Sequence, residues 1–148
     1  MAIDNSALGR QSANNSEIDK NIHAISILGT GRKFQMWRYY VSHRTLLIRS
    51  PKVDAAKENI DIVITGVTYI RLRTSYEYLS FELGTDTDRN LMETQLGRAL
   101  TDKERVFCLT GDGWRDHVVA LGVYPSVNSS SLHETPDLPS FEAHEVHS

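Results

Sequence analysis

The sequence predicts an α+β fold, with a curved antiparallel sheet or partly closed barrel of five to six strands and one packed helix. Between Glu17 and Pro125 the apolar residues mostly alternate with polar ones, which is typical of strands with one buried face. The connections are short, and this favours antiparallel pairing because parallel pairing needs long crossovers. One segment, from Asp86 onward, changes to helical spacing.

The first predicted hairpin joins residues 34–42 to residues 46–49 through a turn at residues 42–45. Its aromatic and β-branched residues suit a pleated sheet, and Pro51 ends the second strand. Strict alternation would place two sets of side chains on opposite faces: Gln35, Trp37, Tyr39 and Val41 on one, and Phe34, Met36, Arg38 and Tyr40 on the other.

Residues 60–72 form the clearest strand pattern in the chain. Isoleucines at alternate positions share one face, and Gly66 interrupts the run where a bulge or bend is expected. A fourth strand, residues 79–83, follows a turn at Thr74-Ser75.

The helical spacing after Asp86 predicts one helix over residues 86–100. Three polar residues at its start are candidate caps that suit the positive end of a helix, and apolar residues then recur at intervals of three and four. The candidate caps are Asp86, Thr87 and Asp88, and the apolar residues are Leu91, Met92, Leu96, Ala99 and Leu100.

Two further strands, residues 106–109 and 117–124, complete the predicted sheet. Asp112-Gly113 lies between them, and Asp-Gly between two apolar runs is a strong signal for a hairpin turn. The segment 16–28 fits both a helix and a strand. We expect a strand that enters at about Ile22.

The length and composition predict one domain with two different ends. At 148 residues the chain has room for one ordinary domain, which we place at residues 16–125. Residues 1–15 are expected to form a disordered leader, and residues 126–148 a mobile acidic tail. The tail carries four acids and no lysine or arginine, so the net charge of −3 conceals a slightly basic remainder. We expect a cytoplasmic location and no membrane segment, since no secretory leader or long apolar run is found.

Enzyme motifs are mostly missing, and the sequence predicts no cofactor and no metal. Gly29-Thr30-Gly31 supplies only half of a dinucleotide fingerprint and precedes a strand instead of a helix. Cys108 and His117 would face each other across the last hairpin if its turn has two residues. A thiol activated by an imidazole is a nucleophile, but a buried structural cysteine is the commoner role.

The charge distribution indicates a binding site on the first hairpin. From Lys20 to Val53 there is no aspartate or glutamate, while the same 34 residues carry seven lysines and arginines interleaved with aromatic residues. Guanidinium groups grip phosphate or carboxylate, and aromatic faces stack on bases or cover apolar groups. The candidate binding residues are Trp37, Arg38, Tyr40, His43, Arg44 and Arg49.

The sequence therefore predicts a non-catalytic domain that binds an unknown protein or an anionic small ligand. The same hairpin could instead bind single-stranded nucleic acid, and a small Cys-dependent enzyme is a further alternative. The basic and aromatic residues could also form a structural sheet face, because edges of sheets use lysine and arginine to prevent aggregation. The oligomeric state stays open, as does whether the acidic tail covers the hairpin.

Overall fold

The computed structural model describes the backbone of residues 5–52 and 58–130, and the side chains of residues 15–52 and 58–130. It confirms the α+β class and the antiparallel pairing. The described ranges hold two helices and nine strands, more strands than predicted, in two sheets that do not close into a barrel. The elements are α1 (Asn5–Leu28), β1 (Phe34–Tyr40), β2 (Thr45–Ser50), β3 (Asn59–Thr65), β4 (Tyr69–Arg71), β5 (Ser75–Tyr76), β6 (Ser80–Leu83), α2 (Asp86–Leu96), β7 (Arg105–Gly111), β8 (Trp114–Ala120) and β9 (Gly122–Asn128).

The two sheets share one hydrophobic core. The first sheet has the strand order β5-β1-β2-β3-β9, and the second has the order β4-β8-β7-β6. Alternate residues of both sheets meet between them, so that one face of each sheet is dry. This core includes Phe34, Leu46, Ile48, Ile62, Ile64, Phe81, Phe107, Leu109 and Val118.

Residues 16–28 are helical, so the expected strand at Ile22 is wrong. Ile18, Ile22 and Ile25 recur at helical spacing and pack on the core between the sheets. In a strand, Ile25 would point to the face opposite Ile18 and Ile22, so the three could not share one core. The helix ends at Gly29, whose backbone N–H donates to the carbonyl of Ile25 (2.9 Å). Helix α1 begins at Asn5, inside the segment expected to be a disordered leader.

Both long predicted strands bend at one corner, where they pass from one sheet to the other. Strand β3 ends just before Gly66, and β4 continues in the second sheet. The predicted strand 117–124 likewise breaks at Leu121 into β8 and β9, which lie in different sheets. The Leu121 N–H donates to the Thr65 carbonyl (2.9 Å), so the two bends lie side by side. The two sheets are therefore joined by a pair of bent strands.

Helix α2 covers the other face of the second sheet. Thr85 caps its start in a capping box with Asp88, and Gly97 ends it in the left-handed conformation (φ 72°). The helix is shorter than the predicted 86–100. Its apolar face packs on a second, smaller core of Met92, Leu100, Val106, Cys108 and Val119.

The edges of both sheets are short or blocked. Strands β5, β4 and β6 have two, three and four residues. The longest edge strand, β9, contains Pro125, which has no backbone donor, and Asn21 Nδ2 of α1 donates to its Val123 carbonyl (3.0 Å). The strand continues to Asn128, so the domain extends beyond the expected start of the tail at Ser126. Residues 131–148 of that predicted tail lie outside the described residues.

Neither described helix combines the length and apolarity needed to cross a bilayer.

The corner at Gly66 generates a stability prediction. A Cβ at Gly66 would lie 2.6 Å from Leu121 side-chain atoms, and its φ of +64° adds backbone strain. We expect Gly66→Ala to lower the free energy of unfolding by about 2–4 kcal/mol. Gly31→Ala is the matched control, because Gly31 has a φ of +72° and no atom within 4 Å of that position. Gly31→Ala should lower the free energy of unfolding by only about 1 kcal/mol. Urea unfolding of both variants checks this, and equal losses would contradict a role for the Leu121 contact.

Candidate functional site

A β-bulge at Trp37 changes which side chains share a face of β1. Met36 lies opposite Ile48, and Arg38 lies opposite Leu47, so Trp37 is an extra residue between two paired ones. Met36 packs against the core between the sheets. Arg38 faces the other way, although strict alternation would place it on the same face as Met36.

The bulge collects the aromatic and basic residues of β1 on the outer face, the face of the first sheet that is turned away from the core between the sheets. Tyr40 lies opposite Thr45, two residues along β1 from the pair of Arg38 and Leu47, so it shares the face of Arg38. The guanidinium carbon of Arg49 lies 5.3 Å from the centroid of the Trp37 ring. The guanidinium carbon of Arg38 lies 5.8 Å from the centroid of the Tyr40 ring. Trp37, Arg38 and Tyr40 therefore stand together.

The tip of the hairpin is exposed and mixes cationic with apolar groups. Arg38 and Arg44 are both exposed. Val41 is 78% exposed and Tyr39 is 38% exposed. Arg44 adopts a positive φ of 50° in the turn, a conformation that is uncommon for residues other than glycine. The tip therefore offers both charge and apolar surface to a partner.

Two of the predicted site residues near the turn are partly buried. His43 is half-buried, and its backbone N–H donates to the Tyr40 carbonyl (3.3 Å) within the turn. The Tyr40 hydroxyl is buried and has no hydrogen-bond partner in the described part of the chain. A buried hydroxyl without a hydrogen-bond partner destabilises the fold by about 1–3 kcal/mol.

Arg49, the sixth predicted site residue, lies inside the protein. Its side chain is 0% exposed, and its Nε and Nη2 atoms donate to the two carboxylate oxygens of Asp61 (2.8 and 3.1 Å). Asn128 Nδ2 donates to the same carboxylate (2.6 Å). Arg49 thus joins three strands and supports the ring of Trp37, and it does not offer its charge to solvent.

The outer face has an apolar floor beside these residues. Leu47 of β2 and Val63 of β3 lie opposite each other, and they are 0% and 2% exposed. Their chain neighbours face the core between the sheets, so Leu47 and Val63 point outward. Arginine and aromatic side chains of β1 border this floor on one side. The outer face thus combines basic, aromatic and apolar side chains.

The last hairpin meets the condition under which Cys108 and His117 face each other. Gly111 lies opposite Trp114, so the turn has two residues, and Cys108 lies opposite His117. Both side chains are buried, at 0% and 2% exposure. They lie on the face of the second sheet that α2 covers.

The carboxylate beside His117 comes from α2. His117 Nε2 lies 3.0 Å from Asp88 Oδ1, and because a carboxylate only accepts hydrogen bonds, Nε2 carries the proton. Asp116 lies on the other face of β8, where it accepts from the Tyr76 hydroxyl (2.8 Å) and from Arg73 Nε (2.9 Å). Sequence reasoning missed Asp88 because only tertiary packing brings α2 to this strand.

The surroundings of Cys108 favour a structural role for this cluster. Burial raises the pKa of the Cys108 thiol to about 12, and the nearby Asp88 carboxylate adds to the shift. The hydrogen bonds from Arg115 hold the pKa of Asp88 well below its usual range, with further bonds from Thr85 and His117. The ligand atoms of Asp88, Cys108 and His117 lie within 4.8 Å of one another, a spacing that could hold a metal. Arg115 already donates to both oxygens of Asp88 (2.8 and 2.6 Å), and a cation there would be repelled.

A second surface feature lies where the two sheets meet at Trp114. A cleft of about 560 Å³ is lined there by aromatic and hydroxyl side chains, among them Tyr76, Tyr78 and Trp114. Arg73 stacks on the Trp114 ring at 4.2 Å, and Asp116 pairs with its guanidinium. Sequence reasoning missed this cleft, because Trp114 is remote from the basic stretch.

The chain matches no protein-family model, no curated protein and no solved structure.

The buried cluster generates a pH-dependent prediction. Asp88→Asn should lower the free energy of unfolding at pH 7 by about 2–4 kcal/mol, because it leaves Arg115 and His117 without their carboxylate. Since the pKa of Asp88 is lowered in the folded protein, its contribution is present above the unfolded pKa of about 3.9 and declines below it. Urea unfolding from pH 7 down to pH 3 should therefore show a shrinking difference from wild type.

The control for Asp88→Asn is Glu82→Gln, which removes the exposed partner of Arg115. It should lower the free energy of unfolding by less than about 1 kcal/mol. A loss for Asp88→Asn that is independent of pH would contradict the electrostatic account.

The thiol of Cys108 should be almost unreactive in the folded protein. With a pKa of about 12, the thiolate is scarce at pH 8. We expect labelling by an aromatic disulfide reagent to be about 10³-fold slower than in the urea-unfolded chain. Comparable rates in both states would show a reactive cysteine and revive the alternative of a Cys-dependent enzyme.

Proposed function

We propose that the protein is a non-catalytic binding domain that takes an acidic, partly apolar protein segment on the outer face at the β1–β2 hairpin. The observation that carries the proposal is the bulge at Trp37, which sets Trp37, Arg38 and Tyr40 together beside the floor of Leu47 and Val63. A bulge is a specific local feature that re-aims side chains, and here it replaces an alternating strand by a single binding face.

The chemistry of the face favours carboxylates carried on a chain. Arg38 and Arg44 are exposed at one end, where their guanidinium groups can pair with carboxylates. Val41 adds exposed apolar surface at the tip of the hairpin, and Tyr39 adds more on the opposite side of β1, where it pairs with Leu46. A flat surface of this kind fits an extended segment better than a small molecule, which prefers a concave pocket. We place the domain in the cytoplasm, as the sequence predicts.

Single-stranded nucleic acid is the second candidate, because exposed arginines can pair with phosphates and an exposed aromatic ring can stack on bases. The exposed ring of Tyr39 is the observation in its favour. Trp37, the stronger stacking residue, is half-buried and already packs on Arg49. This makes nucleic acid the weaker proposal.

The proposal predicts charge-dependent binding by the full-length chain. A fluorescein-labelled peptide of alternating glutamate and leucine is titrated at about 50 mM salt and followed by anisotropy. The double variant Arg38→Gln/Arg44→Gln should bind about 10-fold more weakly than wild type, since each exposed ion pair is worth up to about 1 kcal/mol. The control Arg71→Gln/Lys103→Gln removes two exposed charges elsewhere and should bind as wild type does.

Equal affinity of both double variants would place the binding elsewhere and overturn the site. A labelled single-stranded oligonucleotide, titrated in parallel, separates the two candidates. Tighter binding of the oligonucleotide, with a steep salt dependence that the Arg38→Gln/Arg44→Gln change reduces, would favour nucleic acid over a protein segment.

A further inference from the structure

The apolar floor of the outer face is more deeply buried than the neighbouring described elements explain. Leu47 is 0% exposed and Val63 is 2% exposed, although both point away from the core between the sheets. Helix α1 packs on β9 and β6, and α2 packs on β7. In the described ranges neither helix has its main packing on β2 or β3. An outward-facing pair in the middle of a sheet needs a covering layer to lose all contact with water.

The chain leaves β9 at a point from which this face is within reach. After Asn128 the backbone is held at the corner between β2 and β3, where Lys52 Nζ donates to the Ser129 carbonyl (2.6 Å) and Asn59 Nδ2 donates to the Ser130 carbonyl (2.9 Å). Three strand spacings separate β9 from β1, which is about 15 Å. Residues 131–148 span up to about 60 Å when extended, and about 23 Å as a flexible coil.

The composition of residues 131–148 complements the outer face. The segment contains no lysine or arginine, and its acids alternate with apolar residues. The acids can pair with Arg38 and Arg44, while the apolar residues can cover Leu47 and Val63. The acids are Glu134, Asp137, Glu142 and Glu145, and the apolar residues include Leu132, Leu138, Phe141 and Val146.

We propose that residues 131–148 are an intramolecular occupant of the outer face, which a partner segment of similar chemistry must displace. This inference rests on the proposed function, because it assigns the same face to an acidic, partly apolar segment. A tethered segment reaches millimolar effective concentration, so even a weak contact keeps the face occupied. The affinity for a partner would then depend on the difference between two binding free energies, that of the partner segment and that of the tethered segment.

The test uses the full-length chain with a nitroxide on an introduced cysteine. In Ser140→Cys the label attaches to residue 140, because Cys108 is buried and its thiol has a raised pKa. We expect the nitroxide to broaden the backbone amide signals of Arg38, Leu47 and Val63 but not those of α2. A label at Asp112→Cys, in the turn between β7 and β8, is the matched control and should leave those three signals sharp. If the label at Ser140→Cys leaves the signals of β1, β2 and β3 sharp, the proposal is overturned.

A second variant separates this inference from the proposed function. Changing Glu134, Asp137 and the two later glutamates to their amides in the full-length chain should remove the broadening. It should also raise the affinity for the glutamate–leucine peptide by about 10-fold or more, because the tethered competitor is lost. Broadening together with an unchanged, negligible peptide affinity would keep the intramolecular contact but overturn the binding function. Peptide binding without broadening would support the binding function and overturn the intramolecular contact.

Discussion

The contact between Gly66 and Leu121 is the constraint on which the rest of the structure depends. At this point two neighbouring strands bend together, and each contributes its first half to one sheet and its second half to the other. Only a residue without a side chain can adopt the positive φ of 64° with Leu121 at this distance. The bend sets how the sheets face each other, and therefore where the shared core lies and which faces remain outside it.

A buried ion pair organises the outer face. Taking Arg49 and Asp61 out of water is costly, and their bidentate hydrogen bonds only partly offset that cost. The pair nevertheless has a clear structural effect, because it links β2 to β3 and, through Asn128, to β9. It also presents a flat cation on which the ring of Trp37 rests. A residue that the sequence predicted to bind a partner directly instead supports the ring of Trp37.

The sequence predicted what depends on neighbours in the chain and missed what depends on distant contacts. The Asp-Gly turn is local, so it predicted the last hairpin, whereas the facing of Cys108 and His117 depended on a turn length that the sequence left open. The bulge at Trp37 left no trace in the alternating pattern, and Asp88 reaches His117 only after α2 has packed. The expected strand at Ile22 failed because its spacing fits either period, and packing on the core decided for a helix. The sequence grouped the candidate site residues on one hairpin, but it did not predict which faces they occupy or that Arg49 is buried.

The blunted sheet edges have a consequence for how this domain can recognise anything. Where an open edge exists, a partner can add a strand and bind largely through backbone hydrogen bonds, with little regard to its sequence. Here three edges are short, and the longest, β9, combines Pro125 with a carbonyl already taken by Asn21. If the domain binds a protein segment as we propose, recognition falls to side chains on a face. A few surface substitutions could then alter the recognised chemistry while the corner and the core keep the same architecture.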